Sequence, residues 1–173
     1  FGLRGSTLPD APVISAPVVT TAPTVTTSSE SSGPKQVWWK RYEGTNHVWM
    51  PTLGINKAVY FYPCSRTRDP DNVVYRWGCA GTNNTYLLGH ARGVFKALHD
   101  AYFNGKLQVG MPVVYANGNG KVRLYRVVSW RVVDPYQVDW AVASQPDPSM
   151  TLQTCIGKND SMRLLVRLVQ ADR

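Results

Sequence analysis

The sequence contains no apolar run approaching the roughly 20 residues that a membrane-crossing helix needs, although 43% of its residues are hydrophobic. Phe1 to Pro12 has neither the basic start nor the apolar stretch of a secretory leader, so attachment to a membrane is expected through a missing N-terminal segment. Acidic residues are in the minority, 11 against 19 Lys and Arg for a formal charge of +8. The basic residues are nevertheless scattered, with no run longer than Lys40-Arg41 and no nucleic-acid motif. Nucleic acid is therefore excluded as a partner, while a basic surface suits an anionic envelope. Asp134, Asp139 and Asp147 lie in one loop without calcium-site spacing, so no metal and no cofactor are expected.

Cysteine is also scarce, and its odd count of three is informative. Cys64 and Cys79 flank a polar insert, Ser65 to Gly78, that reads as a loop with a strand end on each side. A disulfide there would staple the loop and leave Cys155 as the free thiol; the alternative is a pair of ordinary buried thiols.

Composition divides the chain in two. Residues 1–36 are rich in Thr, Ser, Pro, Ala and Val and read as a linker or tail, whereas residues 37–173 carry the alternation and aromatic content of a folded domain. From Val37 onward, short β-branched and aromatic runs separated by Pro, Gly and Asn predict strands over Val48–Met50, Ala58–Tyr62, Val73–Trp77 and Thr85–Leu88. Gly93–Asn104 has helical spacing in Val94, Leu98 and Ala101. Further strands are predicted over Pro112–Ala116 and Lys121–Val133, joined by the turn Asn117-Gly118-Asn119-Gly120, and over Met150–Thr154 and Arg163–Val169. A short helix is expected around Val138–Ala143. About eight strands with one or two short helices make a closed barrel the natural architecture, because closure leaves no exposed edge.

Candidate chemistry sits at the strand ends. If the last two strands are antiparallel neighbours, Cys155 and Arg163 stand nearly opposite, whereas Arg167 lies four residues on, roughly 13 Å further along. A nucleophilic thiolate needs a proton donor for the leaving amine and a cation for the oxyanion. His90, at the end of the Thr85–Leu88 strand, suits the first role and Arg163 the second; His47 and His99 are weaker candidates for the proton carrier.

Taken in order, Leu87-Leu88-Gly89-His90, Thr151-Leu152-Gln153-Thr154-Cys155 and Arg163-Leu164-Leu165-Val166 resemble the signature of the sortases. Trp49-Met50-Pro51-Thr52-Leu53-Gly54-Ile55 is similar to the family's first-strand pattern, and the resemblance spans residues 47–171. It implies an eight-stranded sortase barrel and a transpeptidase that cleaves a Leu-Pro-x-Thr/Ala-Gly-like sorting signal through a thioacyl on Cys155, then passes the protein to an amine. The implied partners are surface proteins bearing C-terminal sorting signals, and an acceptor amine from a peptidoglycan precursor or a pilin lysine. The implied location is the extracellular face of the membrane in a Gram-positive-like cell envelope. Leu88, Leu152 and Thr154 are implied to line the substrate groove. The Thr-Leu-x-Thr-Cys form and the short Cys-to-Arg connection lean towards class D or E. The insert between Cys64 and Cys79 departs from the common pattern, and the pairs Asp69-Pro70 and Asp134-Pro135 lie outside the tail where a pilin-sortase lid belongs.

Two other functions compete. A cysteine L,D-transpeptidase is opposed by the absence of its Ser/His-Gly-x-Cys cluster around Cys155, and a non-catalytic sortase-like wall or pilus binding module by the presence of Cys155, His90 and Arg163 together. In the tail, Leu8-Pro9-Asp10-Ala11 followed by Pro12 is similar to a sorting signal with Pro in place of Gly, and is a candidate plug for the groove.

Overall fold

Along Ser149–Ile156 the side chains alternate across the sheet, and Met150, Leu152 and Ile156 fall into one buried cluster with Leu164, Val166 and Leu168 from Met162–Gln170. Each such side chain contributes about 1.5–3 kcal/mol when fully buried. The computed structural model describes residues 37–172. Its strands are β1 (His47–Met50), β2 (Ile55–Tyr62), β3 (Val74–Trp77), β4 (Asn84–Leu88), β5 (Pro112–Ala116), β6 (Val122–Val133), β7 (Ser149–Ile156) and β8 (Met162–Gln170). They close into an eight-stranded barrel in the order β1-β2-β3-β4-β7-β8-β6-β5, with β5 returning to β1. The fold is mainly β, and its two α-helices are α1 (Lys96–Phe103) and α2 (Asp139–Val142).

Most neighbouring strands are antiparallel, but β2 runs parallel to β3 and β4 runs parallel to β7. The second pairing sets Leu88 beside Gln153, which brings the end of β4 to the end of β7. Phe95 and Leu98 join the main core and seat α1 against the barrel. On the outer face of the sheet, Tyr86 and Leu165 pack with Ala141 of α2, and Trp77 and Trp140 extend that cluster. Asn84 Nδ2 donates to the carbonyls of Ala141 at 2.7 Å and Ala143 at 3.0 Å, so the connection from β6 to β7 is tied to β4.

Several boundaries differ from the sequence expectation. Trp38–Arg41 forms a 3-10 turn ahead of the first strand, because Trp38, Trp39 and Tyr42 pack on Trp49, Val114 and Leu124 outside the main core. The helix predicted from Gly93 begins at Lys96: the His90 carbonyl accepts from the amides of Gly93 and Phe95, both at 3.1 Å, and these bonds replace a first helical turn. β7 continues through Ile156, which pairs with Met162, so Cys155 lies within the strand and does not close it.

Candidate active site

Cys155 and Arg163 are direct register partners across β7 and β8, and paired residues of an antiparallel ladder share a face. The turn between them is tightly drawn, with Asn159 and Asp160 both at φ 56°, a region that non-glycine residues seldom adopt. Arg163 Nη1 donates to the carbonyls of Asp160 at 2.7 Å and Met162 at 3.1 Å, which holds the turn against the guanidinium. Burial pushes the Cys155 thiol above the ordinary cysteine value; Arg163 pulls it back and Asp160 adds to the rise.

His90 reaches the same place from β4. The Gly89 amide donates to the Gln153 carbonyl at 3.1 Å, and the buried Thr154 hydroxyl donates to the Gly89 carbonyl at 3.0 Å, so the backbone before His90 is fixed to β7. Only glycine fits at that step, since a Cβ on Gly89 would meet Val94 at 2.8 Å and Phe95 at 2.9 Å. His90 Nε2 lies 2.8 Å from the carbonyl of Pro70. A cleft of about 490 Å³ is lined by His90, Cys155 and Arg163 together with Leu88 and Thr154. Trp77, Pro135 and Val138 supply apolar walls, and Arg66, Asp69 and Pro70 enter from the segment before β3.

Other candidates from the sequence lie elsewhere. Leu152 is buried in the barrel core and does not border this cleft, because its place in the alternation puts it on the face opposite Gln153 and Cys155. Arg167 pairs with Thr151, is buried, and stacks 4.5 Å from the centroid of Trp140 while its Nη2 donates to the Trp140 carbonyl at 2.6 Å. Burial lowers its pKa, and its Nε and Nη1 make no hydrogen bond among the described residues. His47 bonds Asn56 at 2.5 Å and stacks on Trp49, while His99 bonds Asp100 at 3.0 Å; neither borders the cleft. Cys64 is disulfide-bonded to Cys79 with their Cα atoms 4.8 Å apart, and Cys155 is the free thiol. Among the described residues no three His, Cys, Asp or Glu side chains gather as a metal site. The candidate plug Leu8, Pro9, Asp10 and Ala11 lies outside the described residues.

The sequence reading missed the Pro70 carbonyl and the aromatic and proline walls. Nothing in the spacing of Ser65–Gly78 reveals that this insert folds over His90, since the contact is made by backbone from another strand connection.

The sortase domain model matches residues 49–171 of the chain, which therefore belongs to the sortase family of cysteine transpeptidases. Among solved structures, sortase C-1 from Actinomyces oris is similar with a TM-score of 0.60 and 21% identity, over 73% of this chain and 73% of that one. Sortase A from Corynebacterium diphtheriae matches with a TM-score of 0.60 and 21% identity, over 84% of this chain and 72% of that one. Clostridium perfringens sortase C, solved with the C-terminal cell wall sorting motif, matches with a TM-score of 0.57 and 22% identity, over 76% of this chain and 74% of that one. At such identities the likeness shows the fold. No curated relative matches the chain by sequence.

Proposed function

We propose that the chain is a working transpeptidase in which Cys155 is the nucleophile, His90 the proton carrier and Arg163 the oxyanion stabiliser. The observation that carries this reading is the register pairing of Cys155 with Arg163 in a cleft that His90 also lines. In the first half-reaction the Cys155 thiolate attacks the carbonyl carbon of the fourth residue of a Leu-Pro-x-Thr/Ala-Gly-like signal. The C–N bond to the fifth residue breaks, His90 protonates the departing amine, and a thioester remains on Sγ. An acceptor amine from a wall precursor or a pilin lysine then attacks the thioester and gives a proton to His90, and the thiolate leaves. Arg163 Nη1 is committed to the turn carbonyls, which leaves Nε and Nη2 to face charge on the tetrahedral oxygen in both steps.

The C-terminal cell wall sorting motif with which the Clostridium perfringens sortase C was solved supports the same substrate class for this chain. That chemistry supports a location on the outer face of the membrane, with anchoring by a segment N-terminal to the domain and residues 1–36 as the linker. The short turn at residues 157–161, between Ile156 and Met162, supports the class D or E leaning.

Incubating the protein and a Cys155→Ala variant with a panel of sorting-signal peptides and hydroxylamine tests the reading. Cleavage between the fourth and fifth residues that requires Cys155 supports it; no Cys155-dependent product from any peptide overturns it.

A further inference from the structure

Because β2 and β3 are parallel, the chain leaving β2 at Tyr62 must cross back before β3 begins at Val74. Tyr62 pairs with Trp77, so Cys64 and Cys79 each lie two residues beyond a matched pair, and the disulfide closes the crossover at the common end of both strands. The crossover is folded by its own side chains. Asp71 accepts from Arg68 Nη2 at 3.1 Å and from the Tyr75 hydroxyl at 2.9 Å. The Arg66 guanidinium lies 4.4 Å from the Tyr62 ring centroid and 5.1 Å from that of Tyr75.

This folded crossover grips the segment that carries His90 at two points. The Pro70 carbonyl bonds His90 Nε2 at 2.8 Å, and Asn72 Oδ1 accepts from the Val94 amide at 3.0 Å. The approach is close: a Cβ at position 93 would lie 1.8 Å from Asn72 Oδ1, so a larger residue there would displace the Asn72 side chain from this contact. A carbonyl can only accept, so Nε2 must carry hydrogen. Nδ1 makes no hydrogen bond among the described residues.

We infer that the Pro70 carbonyl is the positioning group of His90: it fixes the ring and its tautomer, and leaves Nδ1 as the nitrogen that exchanges protons in both half-reactions. The Cys64–Cys79 disulfide keeps that carbonyl in place. The inference rests on the proposed role of His90 as proton carrier. Its physical basis is that a neutral imidazole donates from one nitrogen and accepts at the other, so the partner of one nitrogen sets the chemistry of the second. The same bond persists when the ring becomes imidazolium, because Nε2 donates in both states, and the ring therefore need not turn between the two proton transfers. Residues 63–73 contain no strand, so the disulfide and the contacts around Asp71 limit the conformations of this connection.

Nitrogen-15 spectra of the histidine-labelled full chain at about pH 9, above the ordinary imidazole range, read the tautomer directly. The Nε2–H form is expected for His90, and an Nδ1–H form overturns the inference. Turnover of a cleaved peptide with hydroxylamine is then compared for wild type, Cys64→Ser/Cys79→Ser and Asn72→Ala. Both variants are expected to lose about tenfold or more in kcat with little change in KM, as for a displaced catalytic group. A kcat within twofold of wild type in both overturns the inference. Should the variant without the disulfide fail to fold by circular dichroism, Asn72→Ala, which keeps the disulfide, decides. If the wild type gives no Cys155-dependent product, the transpeptidase reading has failed, and the tautomer measurement still decides what Pro70 does to His90.

Discussion

Cys155 and Arg163 face each other as register partners on β7 and β8, and Arg163 is held there by the carbonyls of Asp160 and Met162 in the turn that joins the two strands. The guanidinium is therefore held on the same face as the thiol, where its charge pulls the thiol pKa down against burial.

Arg163→Gln should lower kcat by about 10²–10³, the usual loss for one oxyanion donor. Arg163→Lys should recover only part of it, because an ammonium lacks the planar fork. Steady-state kinetics with a cleaved peptide and hydroxylamine give the measurement, and an unchanged kcat in both variants refutes the assignment.

The thiol should titrate above the ordinary cysteine range, since burial outweighs the pull of Arg163. Removing the cation in Arg163→Gln should move the midpoint higher, and removing the anion in Asp160→Asn should move it lower. Rates of iodoacetamide alkylation at Cys155 across pH, followed by mass spectrometry, report both directions.

Leu152 and Leu88 should respond differently to truncation. Leu152 is in the core, so Leu152→Ala should cost about 2–5 kcal/mol of stability without a selective effect on KM. Leu88 borders the cleft, so Leu88→Ala should raise KM for the peptide by about tenfold with a smaller loss of stability. Denaturant unfolding alongside kinetics separates the two.

Arg167 should prove structural. It anchors Trp140 and so the connection that brings Pro135 and Val138 to the cleft. Arg167→Ala should destabilise the fold by about 2 kcal/mol, the scale of a hydrogen bond from a charged group, and raise KM more than it lowers kcat. A loss confined to kcat would point instead to a catalytic role.

Asp71 gives the crossover a dependence on acid. The Tyr75 hydroxyl, and next the charge of Arg68, hold its carboxyl below the ordinary carboxylate value. A depressed carboxylate stabilises the fold above its unfolded pKa and loses that effect as pH falls through the folded one. The difference in melting temperature between wild type and Asp71→Asn should therefore be largest near neutral pH and close below about pH 4. A difference that grows on acidification contradicts this.

Much of the fold is written in short-range pattern. Alternation in Met150–Thr154 and Arg163–Val169, the Asn-Gly turn at 117–120 and the strand-ending Gly89-His90 each follow from local sterics and from which face is apolar. The extent of β7 was less legible, because whether Ile156 continues a strand depends on Met162 across the ladder. Leu152 shows the same limit: the motif that names Cys155 puts Leu152 nearby in sequence, while alternation sends its side chain into the core.

Cys155, His90 and Arg163 are candidates that the sequence offers through motifs resembling the sortase signature, taken in order, and strand spacing prefers Arg163 to Arg167. Three-dimensional structure was needed to bring His90 to Cys155, through the parallel pairing of β4 with β7. It was needed again to bring the Pro70 carbonyl to His90 across a stapled crossover. Both arrangements join segments far apart along the chain, and the second is made by a backbone atom common to every residue, so no side-chain pattern encodes it.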